Sequence, residues 1–372
     1  MFANNLGIRM ILLIGATVPR PAPPEVMSAI TRVQVTNSDE SGDGFQMTLT
    51  MGKGKIPDYT LLKGGSLNLF NRVIIGVFLG LMPEVLIDGV ITNHQIAPSN
   101  EPGMSTLTVM GKDISQMMDL EEANDRYPNQ PDSVIVGRLL GNYAQYGLIP
   151  KLTTTTEIPI ETDRITRQYE TDLRCIRRLA ERNGFVFYVE PVTIGVNKAY
   201  WGPKTRAGML QPALSMNMGG MTNVKSLTFT EDCLAAASVK SSFIESFTRT
   251  VIPLPAVPPL RVPPLASMPT PSRRVTLLRD TANQGAAATA REMMSAVTSQ
   301  PDTVTGDGEV ATIHYGHVLR ARRLVGLRGA GISYDGHYYV TSVSHRISRG
   351  EYNQSFSISR EGTGPLMAMV SL

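Results

Sequence analysis

The residue types best suited to bind a metal or move a proton gather near the end of this 372-residue sequence. His314 and His317 form an HxxH pair, and His337 and His345 follow in stretches that read as strands. Zinc takes imidazole nitrogens readily, so four nearby histidines raise the question of a tetrahedral site. A zinc-protease helix, however, spaces its histidines four apart and carries a glutamate between them. This pair has neither, and its segment reads as strand or turn. No metal ligand is assigned. GLRGAG at 326–331 is loosely like a dinucleotide loop, but a strand follows it, so no helix N-terminus is present to hold a pyrophosphate. The acidic pairs Asp39-Glu40 and Glu121-Glu122 lie in polar segments with no apolar surroundings to raise a carboxyl pKa. Cys175 and Cys233 are too few for a disulfide framework, and Cys175 falls within an amphipathic helix, where a thiol serves as a small buried hydrophobe. The sequence therefore nominates no catalytic residue, no cofactor-binding residue and no cofactor.

The elements around these residues are mostly strands. Residues 319–362 read as a β-meander. An arginine-rich run enters a glycine turn, a tight bend is expected at Asp335-Gly336, and 354–360 alternates polar and apolar residues with the period of a half-buried strand. Earlier, 30–36 and 44–51 alternate as a strand pair, 67–80 is a near-continuous apolar run readable as one strand or two, and 85–96 and 106–110 form a further pair. A short helix is expected over 113–120. In the middle, 133–146 has helical spacing with Asp132 or Ser133 as cap, and 151–160 looks extended. Residues 171–183 form the clearest helix: Leu173, Ile176, Leu179 and Ala180 share one face, with Arg174, Arg177, Arg178 and Arg182 on the other, a solvated face or a subunit contact. The proline-rich stretch 251–271 cannot enter a sheet interior and should lie extended on the surface. Residues 286–297 read as a helix.

Composition narrows the class further. Charged residues make up 18 %, while glycine (33), proline (25) and methionine (19) are plentiful, which suits a turn-rich β protein with large protein contacts. A net charge of +3 with no basic cluster interleaved with aromatics argues against nucleic acid. The apolar run 10–18 is too short to span a bilayer and lacks a small-residue cleavage site, so direct membrane insertion is not expected. The N-terminal residues read instead as an extended arm that packs on a neighbour or adds a strand to a sheet edge.

Three stretches carry a resemblance: DLRCIRRLAERNG leading into FVFYVE, then AYWGPKTR with SMNMGGMTNVKSLTF, then YDGHYYVTSVSH…RGEYNQSFSISREG. Together they resemble the phage late control D family of contractile-tail hub proteins, related to the hub part of valine-glycine repeat (VgrG) spike proteins, and most the version found in extracellular contractile injection systems. The resemblance implies a mainly β (α+β) chain: two tube-type antiparallel β-barrel domains bridged by a helix-containing insert. The expected organisation is an arm over 1–27, a first barrel over 28–128, the insert over 129–222, a second barrel over 223–362, and a tail over 363–372. The second barrel carries a proline-rich insert at 251–275 and a helix near 284–298.

The two β segments echo each other. VITNHQI leads to STLTVMGKD, and VTSVSHRI leads to QSFSISREG, which sets His94 against His345, Ile96 against Ile347 and 106–110 against 355–359. Two such barrels in one chain, trimerised, would set six around an axis. The resemblance implies the same: a baseplate hub, a homotrimeric pseudo-hexameric adaptor between the hexameric inner tube and the trimeric spike. Its partners would be the spike, the inner tube protein and baseplate wedge components, with assembly in the cytoplasm into a phage-tail-like particle and no catalysis. The rival readings are a tail-associated adhesin or cargo-binding module, and a metal-dependent hydrolase on a β scaffold.

Overall fold

The structure, a computed structural model, describes residues 8–52, 60–80, 82–101, 103–158, 165–244, 250–259, 261–278 and 286–366. Parts of the expected arm (1–7), extended stretch (159–160), helix (284–285) and tail (367–372) lie outside them. The first half of the chain runs β1 (Arg9–Gly15), β2 (Arg20–Pro21), α1 (Pro24–Ala29), β3 (Ile30–Ser38), β4 (Gly44–Met51), α2 (Thr60–Lys63), β5 (Arg72–Leu79), β6 (Met82–Ala97) and β7 (Ser105–Asp113). Of the two fates expected for the N-terminal arm, β1 shows strand addition. It pairs antiparallel with β5 and sends Leu12 and Ile14 into the core with Val33, Val35, Met47, Leu49, Leu107 and Val109. The 67–80 run holds one strand, β5, because Phe70 turns the chain at φ 64° just before it.

The middle of the chain contains β8 (Glu122–Tyr127), α3 (Asp132–Gly141), β9 (Leu148–Leu152), β10 (Thr166–Thr171), α4 (Asp172–Arg182), β11 (Phe185–Thr193) and β12 (Val196–Pro203). Helix α4 forms where its pattern requires: the Thr171 hydroxyl caps it by accepting from the Arg174 N–H, and Leu173, Ile176 and Leu179 are buried. Trp201 donates from Nε1 to the Ile176 carbonyl, which locks α4 onto the β11–β12 pair. The arginine face is less free than expected, since Arg174, Arg178 and Arg182 pair with Asp119, Glu170 and Asp132. Neither Asp132 nor Ser133 caps α3. Pro131 is the N-cap residue, and the Asp132 carboxylate is held instead by Arg182 and Asn183.

The last part holds β13 (Gln211–Ser215), β14 (Val224–Glu231), β15 (Ala237–Ile244), β16 (Val251–Val257), β17 (Ala266–Pro269), β18 (Arg274–Leu277), α5 (Ala286–Thr298), β19 (Val304–Ala311), α6 (Thr312–Tyr315), β20 (Leu324–Arg328), β21 (Gly336–Ser348), β22 (Glu351–Arg360) and β23 (Gly362–Pro365). The proline-rich stretch lies extended at sheet edges: β16 is an outer strand of a small β16-β15-β18 sheet, and β17 pairs with β23. That pairing gives order to residues 362–365, the start of the expected tail among them. The hairpin expected at Asp335-Gly336 is displaced. Strands β20 and β21 pair from Leu324↔Tyr339 to Leu327↔Gly336, so the turn spans 329–335, and the Asp335 carboxylate closes it by accepting from the Ala330 N–H.

The two β halves share one strand order. The first reads β3-β4-β7-β6-β5, and the second β14-β19-β22-β21-β20. Bulges fall at matching places. Thr31 is the extra residue of β3 against β4, as Lys225 is of β14 against β19; Thr92 is that of β6 against β7, as Thr341 is of β21 against β22. The hydroxyls of Thr31, Thr92 and Thr341 each donate to a carbonyl of the facing strand, at Thr48, Met110 and Ser357. Aligned on the bulges, Val33 matches Leu227, Val35 matches Phe229, and His94 matches Val343 rather than His345. The correspondence read from sequence is thus out by two residues on both strands. A shift of two keeps every side chain on its own face, so alternation alone cannot detect it. Packing is exchanged between the halves: Phe45 fills the space over Gly111, whereas at the matching positions Gly306 lies opposite Ile358.

A Cβ added at Gly111 would stand 2.3 Å from both the Phe45 ring and the Val90 carbonyl oxygen. Gly111→Ala is expected to destabilise the protein by roughly 1–3 kcal/mol through overpacking. The measurement is a urea titration in which the midpoint falls while the slope stays unchanged.

Candidate functional site

Strand β21 is where the halves meet. Its first part pairs with β20, and beyond the Thr341 bulge it changes partner and pairs with β3 of the first half, from Ser342↔Ser38 to Ser348↔Arg32. The result is one continuous antiparallel path through both halves. The two β domains expected from the sequence are therefore welded edge to edge. Across the weld the side chains are polar on one face, where Gln34 and Thr36 meet Ser344 at 3.1 and 3.3 Å. On the other face Tyr352 and Ile347 of the second half join the core of the first.

The fork between β20 and β3 needs a plug, because strands that diverge leave backbone groups without ladder partners. Arg322 supplies it. Its guanidinium donates to the Ser38 carbonyl at 2.6 Å and to both oxygens of Asp43 at 2.6 and 3.1 Å. Asp43 in turn accepts from the Ser38 N–H at 3.0 Å and from Asn37 at 2.9 Å. Arg322 adopts φ 63°, a left-handed conformation uncommon outside glycine, and both side chains of the pair are buried. Burial alone would lower the Arg322 pKa, but Asp43 outweighs it and holds the cation above its ordinary range. Asp113 is pushed up, first by burial and then by the neighbouring Asp43 charge.

The flanking arginines extend the brace in other directions. Arg320 reaches Glu84 and the Val85 carbonyl in the first half, and Arg323 reaches Glu190 on β11 at 2.7 Å. The Arg322 guanidinium also lies 4.5 Å from the Tyr188 ring of β11. LRARR at 319–323 thus binds all three parts of the chain, although the sequence showed it only as an arginine-rich run entering a glycine turn. Two other buried clusters serve the remaining contacts. Arg72 forks onto Asp88 at 2.8 and 2.6 Å and donates to the Tyr146 carbonyl, while Asn197 donates to Asp88. Arg206 grips Asp302 at 2.6 Å through both carboxylate oxygens and Glu361 at 3.0 Å. Burial would raise the Asp302 pKa, but Arg206 and Arg261 prevail and hold it below the usual carboxylate range.

Between β3, the middle part and the second half lies a polar cleft of about 670 Å³, lined by Lys204, Arg206, Arg261, Asp302, Ser342 and Ser359 among others. Its cations are already matched: Lys204 pairs with Asp39, and Arg206 and Arg261 share Asp302. It therefore reads as a braced junction. The histidines are not brought together. His314 and His317 are exposed around the short α6, and Gly316 at φ 74° ends that helical turn where a strand or turn was expected. His345 is fully buried with Nδ1 2.9 Å from the Tyr352 hydroxyl. Among the described residues no group of three or more His, Cys, Asp or Glu is placed to hold a metal ion. GLRGAG ends β20 in a turn in which Gly329, at φ 82°, passes against the Met216 carbonyl with no room for a Cβ. Cys175 is buried in α4, and burial raises its thiol to about 11.

No family model matches the chain, and no curated protein matches it. Solved structures do match. A 43 kDa tail protein of prophage MuSo2 from Shewanella oneidensis aligns over 95 % of this chain and 98 % of its own, with 15 % identity and a TM-score of 0.64. A tail protein from Neisseria meningitidis aligns over 95 % and 97 %, with 13 % identity and a TM-score of 0.62. An E. coli component of the type VI secretion system, described as similar to the bacteriophage T4 tail proteins gp27 and gp5, aligns over 91 % and 76 %, with 14 % identity and a TM-score of 0.55. The mainly β fold is thus shared, almost end to end, with proteins of phage tails and of a secretion machine.

Two outcomes follow from the brace. Arg322→Met leaves Asp43 buried without its cation and is expected to cost about 3–5 kcal/mol, whereas Arg323→Ala, which breaks a half-exposed pair, costs about 1 kcal/mol or less; urea unfolding of both variants measures the contrast. For His345, burial and then the Arg320 charge lower the pKa to about 3. The unfolded chain therefore takes up a proton below about pH 6.5 that the folded chain refuses, so stability is full above that pH and falls as the medium acidifies. Between pH 6.5 and 5 this group alone should remove about 1.5 kcal/mol, and the loss should disappear in His345→Gln, read from unfolding midpoints at each pH.

Proposed function

We propose that this chain is a structural hub protein of a contractile injection system or phage-like tail, a homotrimeric, pseudo-hexameric adaptor that joins a hexameric inner tube to a trimeric spike. The observation that carries the reading is the repeated half: one strand order used twice, with bulges at matching positions, welded into a single sheet. Three such chains would present six like units on a ring whose true symmetry is threefold. The tail proteins that share the fold over nearly the whole chain support the same reading. The resemblance of DLRCIRRLAERNG and RGEYNQSFSISREG to late control D hubs adds to it.

In this role the buried arginine clusters are mechanical. Each locks two parts of the chain in one register, so that a load entering through the spike passes to the tube without shearing the junction. Partners would be the spike, the inner tube protein and wedge components of the baseplate, with assembly in the cytoplasm into a tail-like particle. Neither nucleic acid nor a catalysed reaction is required.

The test is mass by light scattering, for the purified chain alone and after co-expression with its candidate spike. A trimer, or a monomer driven to a 3:3 complex by the spike, is the expected result. A stable monomer indifferent to spike and tube would overturn the reading.

A further inference from the structure

The repeat leaves two strand edges unmatched, and they are the counterparts of the two edges already welded inside the chain. Beyond its bulge, β21 receives β3. Beyond the matching Thr92 bulge, residues 93–97 of β6 pair with β7 on one side and, among the described residues, have no strand on the other, because the pairing of β6 with β5 ends at Val90↔Arg72. Strand β14, which matches β3, ends the sheet, and among the described residues no strand pairs with its outer edge. An eight-residue edge of unpaired N–H and C=O groups is a template for another strand.

We propose that β14 of one copy of this chain pairs antiparallel with residues 93–97 of a second copy, repeating between subunits the β3–β21 weld found within each. This rests on the trimeric reading above and specifies its interface. Carrying the internal register across the bulge alignment sets His94 opposite Glu231, Gln95 opposite Thr230, Ile96 opposite Phe229 and Ala97 opposite Thr228.

The chemistry at those positions fits. Within the chain the outer face of the weld is polar, Ser344 against Thr36; between chains it would be Gln95 against Thr230, both exposed. On the core face, Ile96 is 41 % exposed beside the buried Leu107 and would close over Phe229, which already packs on Tyr334 and Tyr338. An independent sign comes from His94. Its Nε2 is shielded from solvent yet has no hydrogen-bond partner among the described residues, and the proposed register brings the Glu231 carboxylate beside it. A shielded imidazole nitrogen without a partner is costly, and a neighbouring carboxylate relieves that cost.

Directly opposed residues of antiparallel strands have Cα atoms about 4.5–5.5 Å apart, within the span of a disulfide. The test is Gln95→Cys with Thr230→Cys in the full chain, on a Cys233→Ser background, oxidised after assembly and run on a non-reducing gel. Covalent dimers and trimers are expected, and Gln95→Cys with Ser226→Cys, displaced along β14, should give none. If light scattering finds a trimer but the first pair does not cross-link, or both pairs cross-link equally, the seam is overturned and the hub reading stands. If the chain stays monomeric with and without its candidate spike, both are overturned.

Discussion

The architecture depends on one ion pair set in a fork. Where β20 and β3 part company along β21, the Arg322–Asp43 pair fills the gap and takes up the Ser38 N–H and C=O that the diverging strands leave bare. A buried pair of this kind adds little net stability, because the desolvation of both charges offsets most of their attraction. What it adds is geometry. Guanidinium and carboxylate meet in a planar, two-bond arrangement that tolerates little displacement. A slip of β3 along β21 would leave both charges buried and unpaired. The left-handed backbone of Arg322 is consistent with this, since strain persists only where the surroundings over-determine the conformation.

From that fork the rest of the molecule is braced in the same way. Arg72 with Asp88, reached by Tyr146 and Asn197 of the middle part, and Arg206 with Asp302 and Glu361, repeat the motif at the other boundaries, each enclosed and each tied to parts of the chain far apart in sequence. Aliphatic packing holds each part together internally, in three clusters that stay largely separate. The boundaries, by contrast, are polar and ionic. Apolar surfaces slide past one another at modest cost, whereas a buried ion pair has a single low-energy register.

The duplicated half shows how a common scaffold is kept while its packing is redistributed. Phenylalanine over glycine in one half is answered by glycine beneath isoleucine in the other, so a large side chain covers a glycine in both although the strands that carry them are exchanged. The bulges are conserved between the halves because they are structural. Each re-aims a strand, and at Thr341 the bulged strand changes neighbours along its length. In the second half an α5-backed sheet is inserted between β14 and β19 without disturbing their pairing, as expected when an insertion enters at the end of a hairpin.

The sequence by itself determined the local elements wherever a period was clear. Helix α4, strands β3 and β4, the β6–β7 pair and the extended proline-rich stretch were all legible, because alternation, helical spacing and the missing proline N–H act over a few residues. It also determined that the chain is mainly β and repeats itself, but not the register of the repeat, since a shift of two residues leaves a strand's pattern unchanged. Only the tertiary structure decided what LRARR does, because the partner of Arg322 lies in a polar turn near the other end of the sequence and no local pattern connects them. It likewise decided that the histidines are scattered, that the hairpin turns at 329–335, and that β3 and β21 weld the halves. These are long-range pairings, fixed by which buried charges and open strand edges find each other once the chain has collapsed.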